Sequence, residues 1–241
     1  AADFSADPSI NAMGIYKEAA ASLKSEKSIV ASYPASRGAS DNVHIQGHWL
    51  NFTDVSVYHF LADMDVDCDD VYVRNDDGQN EINFGAFDAR YVPWHVLSNK
   101  FYNGHKNIEP NAGDSNGAKP KVTGEASLLL ADTCFPKDGM NGKKGHEPLD
   151  VLYMVFQTKF PAGVGENTMD INTLKKLGDE QAQLLANALE LDGGDDGGGG
   201  ASCVMSGGVL IILHRHVDCS GSQVCCIFGE VNLGTFISRN R

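Results

Sequence analysis

Nine residues decide how much of this chain can share one core. Asp192 to Gly200 reads D-G-G-D-D-G-G-G-G, and backbone so dense in glycine behaves as flexible coil, because ordering it costs entropy that no side chain offsets. The run divides the 241 residues into 1–191 and 201–241. The first part can bury a sizeable core as one domain. The second holds four of the six cysteines (Cys203, Cys219, Cys225 and Cys226) and an apolar patch, too short for a core of its own. The expected organisation is a working domain over 1–191, a linker over 192–200 and a cysteine-containing tail over 201–241.

Within 1–191 the periodicity mixes strands and helices. Asp7-Pro8 offers an N-cap and a first-turn proline, and Ile10, Met13, Tyr16, Ala20 and Leu23 recur at helical spacing. Residues 31–42 read as a loop of Ser, Gly and Pro. Val43 to Leu61 alternates apolar and polar, as strands do. Tyr91 to Leu97 is nearly continuous apolar sequence, with Pro93 marking an edge or bulge. Ala126 to Ala131 reads as a short buried helix or strand, and Val151 to Phe156 as a fully buried strand. Leu174, Leu177, Gln181, Leu184, Leu185 and Ala188 form an amphipathic stripe, capped near Asp170 or Asn172. The predicted class is α+β: a strand-rich core with helices near both ends of a single domain.

The formal charge is -13. It argues against nucleic acid and anionic membrane surfaces as partners and fits a cationic ligand, or simple solubility. No stretch approaches the eighteen or so apolar residues of a membrane span. The opening Ala1-Ala2-Asp3, the sequon Asn51-Phe52-Thr53 and six cysteines without C-x-x-C zinc spacing point to a secreted, extracellular protein with disulfides.

Candidate chemistry centres on carboxylates. Asp114 and Glu125 stand eleven positions apart around a glycine-punctuated loop. Asp114 lies in a turn cluster with Gly113, Ser115, Asn116 and Gly117, and Glu125 at the edge of an apolar run, where partial desolvation favours a working acid. Two solvated acids would read the same way. Asp65, Asp67 and Asp69 alternate, so an extended segment turns all three to one side. Such a cluster suits a solvated loop, a substrate ammonium or a metal ion. An EF-hand is excluded, because Asp70 and Asp76 occupy its glycine and glutamate positions. His44 and His48 have zinc-helix spacing without helical surroundings, and His214-Arg215-His216 has no further ligand. No metal or cofactor is expected. Trp49, Tyr72, Trp94 and Tyr102 offer stacking faces to sugar rings or belong to the core. P-loop and Rossmann signatures are absent from the sequence.

Several segments, in order, resemble the fungal chitosanases of glycoside hydrolase family 75. They are Met64-Asp65-Val66-Asp67-Cys68-Asp69, Asp77-Gly78-Gln79, Asn83-Phe84-Gly85-Ala86 and Val92-Pro93 in the first half. In the second half they are Gly113-Asp114-Ser115-Asn116-Gly117, Gly124-Glu125-Ala126-Ser127, Cys134-Phe135, Gly145-His146 and Asp150-Val151-Leu152-Tyr153. The resemblance implies a monomeric endo-glycosidase acting on the β-1,4 links of chitosan with inversion. Asp114 and Glu125 are then the catalytic pair, with Glu125 as general acid and Asp114 as general base, although spacing alone does not assign the roles. Inversion calls for carboxyl groups roughly 6.5–9.5 Å apart. Asp65, Asp67 and Asp69 would bind the glucosamine ammonium groups, with Asn116, Trp49, Tyr102 and His146 as further substrate contacts. A barrel-like core follows by analogy with other small inverting glycosidases. The alternative is a non-catalytic chitosan- or cation-binding protein that uses the acidic loop. The chain departs from the family pattern in the short, polar Asn107–Ala112, in Asp70 where glycine is usual, and in the tail after Gly200.

Overall fold

The structure, a computed structural model, describes residues 6–23, 28–35, 40–67, 95–98, 101, 114–116, 123–158, 171–191, 210–218 and 221–229. Of these, 67, 98, 114–116, 171, 174, 210–218 and 221–229 are described by backbone alone. The 192–200 segment read as a linker lies outside them, as do Asp69 and Tyr102.

In chain order the elements are α1 (Ala12–Ser22), β1 (Ile29–Pro34), β2 (Asn42–Gln46), a 3-10 turn (His48–Asn51), β3 (Val57–Asp67), β4 (His95–Ser98), β5 (Asp114–Asn116), β6 (Glu125–Ser127), α2 (Leu128–Cys134), β7 (His146–Phe156), α3 (Ile171–Ala188), β8 (Leu210–Asp218) and β9 (Gly221–Gly229). The strands form one mixed, curled sheet, a half-barrel of order β5-β4-β6-β3-β7-β8-β9, to which the β1–β2 hairpin is joined where Gln46 pairs with His59. This is the strand-rich α+β architecture that the periodicity predicts.

The sheet is built on β3 and β7, antiparallel from Val57↔Phe156 to Met64↔His146. The run Val151-Leu152-Tyr153-Met154-Val155-Phe156 is buried at every position. An unbroken apolar strand needs cover on both faces, which is why this one lies inside the sheet. Each large side chain so buried contributes roughly 1.5–3 kcal/mol. Helices α1 and α3 pack against each other and α1 against β3, while α2 lies against β3 and β9. Helix α3 turns Ala182, Leu185 and Ala186 inward. Beyond 192–200, β8 pairs with β7 from Leu210↔Val155 to His214↔Val151, and β9 with β8, so these strands extend the same sheet.

Three local expectations are corrected. Residues 29–34, largely read as loop, form β1 because β2 supplies a pairing partner. Asn172 lies inside α3 rather than at its cap. Helix α1 starts later than Asp7-Pro8 suggests. Asp7 instead accepts bonds from the backbone N and Oγ of Ser9, at 2.9 and 2.7 Å. Asn11 is the N-cap, its Oδ1 accepting from Gly14 N at 2.8 Å. A Cβ on Gly14 would fall 2.8 Å from that oxygen, so glycine there makes room for the cap. Asn11→Ala should therefore cost about 1 kcal/mol, read as a shift of the urea midpoint, whereas Asp7→Ala should leave the midpoint close to the parent's. Equal shifts would contradict the assigned cap.

Candidate active site

The β6 strand is only three residues long, yet it joins two halves of the sheet. Asp65, Val66 and Asp67 pair in parallel with Glu125, Ala126 and Ser127. On its other side β6 pairs with β4 at Val96↔Glu125, and β4 pairs with β5 at Val96↔Asp114. Asp114, Val96, Glu125 and Asp65 therefore occupy one row across four strands. Neighbouring strands lie about 4.8 Å apart, which puts the backbones of Asp114 and Glu125 about 10 Å from each other. Asp114, read as a turn residue, sits on a short strand, and of Asp114, Asn116 and Asp67 only this backbone placement is described.

The row is held from below by Tyr153. Its hydroxyl donates to the carbonyls of Asp63 (2.9 Å) and Gly124 (3.2 Å), and Asp65 N donates to Gly124 O at 2.8 Å. Gly124 has φ +119°, and a Cβ there would fall 2.7 Å from Asp63 Oδ1 and 2.9 Å from Asp63 O. Across β3, a Cβ on Gly145 would fall 2.5 Å from Asp65 Oδ1 and 2.7 Å from Met64 O. Both glycines leave space that the two aspartates fill. At the last residue of β6, Ser127 caps α2 by accepting from Leu130 N at 3.3 Å. The segment left open between helix and strand is thus first one and then the other.

Asp63 is the site residue that the sequence reading misses. Two positions before Asp65, it continues the alternating series toward the N-terminus and shares a side of the strand. It is 7% exposed, and its Oδ1 has no hydrogen-bond partner among the described residues. Burial pushes its carboxyl up to about 7, the charges of Asp65 and Glu125 adding to the rise and a backbone bond and His146 opposing it. Burial likewise raises Asp65, helped by Glu147.

Two of the expected substrate contacts are corrected. Trp49 is 2% exposed and stacks on the buried His59, ring centroids 3.8 Å apart and planes 14° from parallel. A ring closed into the core offers no face to a sugar. His146 has both ring nitrogens engaged, Nδ1 with Asp138 at 3.2 Å and Nε2 with Asp150 at 2.8 Å, and it stacks on Phe135 at 3.8 Å. Burial alone would lower its pKa, but the bonds to Asp150 and Asp138 outweigh it and hold the ring above its usual value. It clamps the 134–146 connection to β7 through both ring nitrogens. The possible zinc pair separates too: His44 on β2 meets Ser32 Oγ at 2.7 Å, and His48 sits edge-on to His59 in the 3-10 turn. Among the described residues no group of three or more His, Cys, Asp or Glu side chains is placed to hold a metal ion. Cys134 is buried at the end of α2.

Two outcomes test this construction. Tyr153→Phe leaves the ring but removes the donor to two buried carbonyls, and should cost about 1–2 kcal/mol in chemical denaturation; an unchanged midpoint would show that the hydroxyl does not hold β6. His146→Gln tests the clamp. A histidine whose pKa is raised on folding stabilises fully below its unfolded value near 6.5, and that stabilisation is lost as pH climbs through the folded value. The melting-temperature gap between parent and variant should therefore be widest under mildly acidic conditions and shrink in alkali. A gap independent of pH would mean that the clamp acts by shape alone.

Comparison with known proteins bears on this arrangement. Residues 110–184, which include β5, β6, α2 and β7, match a family model described as fungal chitosanase of glycosyl hydrolase group 75. Endo-chitosanase C of Aspergillus oryzae is 38% identical over 214 residues, covering 79% of this chain and 56% of that protein. A second endo-chitosanase of Aspergillus oryzae is 33% identical over 136 residues, 41% of this chain and 55% of that protein. One from Aspergillus fumigatus is 51% identical over 47 residues, 20% of this chain and 19% of that protein. No solved structure matches. The chain spans about half the length of the first two of these relatives. Over most of its length the chain is similar to fungal endo-chitosanases, and residues 110–184 match the model of glycosyl hydrolase group 75.

Proposed function

We propose that this chain is an endo-acting glycosidase that cleaves β-1,4 links between glucosamine units of chitosan with inversion. The observation that carries the reading is the row on which Asp114 and Glu125 lie two strands apart, with the acidic side of β3 beside Glu125. A backbone interval of about 10 Å suits carboxyl groups that must leave room for a water, roughly 6.5–9.5 Å apart. Glu125 protonates the glycosidic oxygen as the bond to the anomeric carbon breaks. Asp114 takes a proton from the water that attacks the opposite face of that carbon. Glu125 is the better placed acid, because the partly desolvated Asp65 stands beside it at the end of the row, and a neighbouring like charge favours retention of a proton.

Substrate choice follows from charge. Chitosan is a polycation in mild acid, and a chain of formal charge -13 with Asp65, Asp67 and Asp69 along one segment attracts its ammonium groups, which acetylated units lack. The relatives named above are endo-chitosanases. The proposal extends to a secreted monomer with disulfides. Asn51 of the sequon is exposed at the end of the 3-10 turn, where a glycan would meet no steric obstacle from the core.

Reducing-end release from highly deacetylated chitosan tests the reading. Glu125→Gln and Asp114→Asn should each lower turnover by about 10²–10⁴-fold while the melting temperature stays near the parent's, and the first-formed reducing ends should be α. Chitosan bound without new reducing ends would make this a binding protein; near-normal activity of Glu125→Gln would remove Glu125 from the mechanism.

A further inference from the structure

Asp63 has no part in the reaction just described, yet among the described residues it is the one buried carboxylate. Its Oδ1 fills the space that Gly124 leaves, 2.7 Å from where a Cβ would stand, and finds no donor among the described residues. A buried carboxylate with one oxygen unpartnered and only its own backbone as a donor is poorly accommodated, whereas the neutral acid is tolerated. Among the described residues the groups that face it are Asp65 on its own strand, Glu125 from β6, and His146 and the Tyr153 hydroxyl from β7, with Glu147 acting on Asp65. The Tyr153 hydroxyl is committed to the Asp63 carbonyl and to Gly124. His146 is committed to Asp138 and Asp150. Neither is recorded as a donor to the unpartnered oxygen.

The geometry points to Asp63 as a positioning residue for the general acid: it is a neutral carboxylic acid in the working enzyme, and with Asp65 and Glu125 it keeps one shared proton at the leaving-group side of the row. This rests on the chitosanase reading and deepens it. Asp65 and Glu125 stand side by side on paired strands and Asp63 feels the charge of both, so the three do not all ionise together readily and the last proton leaves the cluster rather than any one member. Burial and these charges push Asp63 up to about 7, so that proton should leave near neutrality. After Glu125 gives its proton to the leaving oxygen, a proton passes from the Asp63 carboxyl to the Glu125 carboxylate. Solvent then restores Asp63, and no other bond changes.

The test compares the parent with Asp63→Asn, which is isosteric with the neutral acid but has no proton to share. The rate of cleavage of a soluble glucosamine oligomer is followed against pH, and the carbonyl stretch of a protonated carboxyl is followed by infrared difference spectroscopy. The parent should show that band disappearing near neutrality, with the alkaline limb of kcat/KM falling alongside it. In Asp63→Asn the component that disappears near neutrality should be gone, leaving only carboxyl absorption that is lost at lower pH. Its optimum in mild acid should survive, but the alkaline limb should begin about one pH unit lower, a roughly tenfold deficit at neutral pH.

An alkaline limb identical to the parent's overturns the proposal. So does a folded variant that is inactive at every pH, since Asp63 would then take part in bond cleavage itself. The band is measured on the parent and needs no variant to fold. A parent that cleaves while showing no such band refutes the role of Asp63 alone. A parent that cleaves nothing refutes the glycosidase reading, and the catalytic role of Asp63 with it.

Discussion

The site depends on how three residues of β6 are held against β3. A strand this short cannot hold its own place through ladder bonds. It is fixed by Asp65 N on Gly124 O and by the Tyr153 hydroxyl, which reaches the carbonyls on both strands. That hydroxyl is itself positioned from the core. The Tyr153 ring is 1% exposed and lies parallel to Phe60, centroids 4.8 Å apart and planes 3° from parallel. The chain of dependence therefore runs from apolar packing between β3 and β7, through one phenol oxygen, to the placement of Glu125. Dispersion in the core becomes geometry at the row.

What the sequence made legible was whatever has a local period. The unbroken Val151–Phe156 run, the alternation of β2 and the apolar stripe of α3 each declare their element over a few turns or pleats. β1 was illegible because Ser32 and Pro34 disguise a strand whose partner lies across a loop. At the site, Asp114 and Glu125 stood out through their glycine-rich surroundings. That Asp65 faces Glu125 could not be read, because the pairing joins residues sixty positions apart in the chain. Asp63 was overlooked between Ala62 and Met64, although the alternation through Asp65 and Asp67 already pointed back to it. Trp49 and His146 were misread for one reason: residue type suggests a ligand contact, but neighbours decide availability, and His59 and the Asp138–Asp150 pair had taken them.

The electrostatics of the fold work in opposing directions. Asp63 and His146 both hold protons more tightly in the folded chain, so they favour it in acid. His59 and His95 are kept neutral by burial, His95 down to about 3, so they favour it above their unfolded values and oppose acidification. Among the described residues, buried polar atoms without a partner lie at Asp63 on β3, at both ring nitrogens of His95 on β4 and at Thr123 just before β6, and also at Gln46, His48 and His59 around the 3-10 turn. Each costs stability that apolar packing elsewhere in the sheet must offset.

The pairing of the row also separates loop length from reaction geometry. The interval between Asp114 and Glu125 is measured across β4, not along the residues that join them, so insertions or deletions in that connection can accumulate without altering the span. A one-residue slip of β6 along β3 has the opposite effect: it would bring Ala126 to the level of Asp65 and turn Glu125 to the other face. Loop length can thus vary between Asp114 and Glu125 while the distance between these two positions stays quantised by strand spacing. On the proposed reading, that connection is a variable of specificity and not of mechanism.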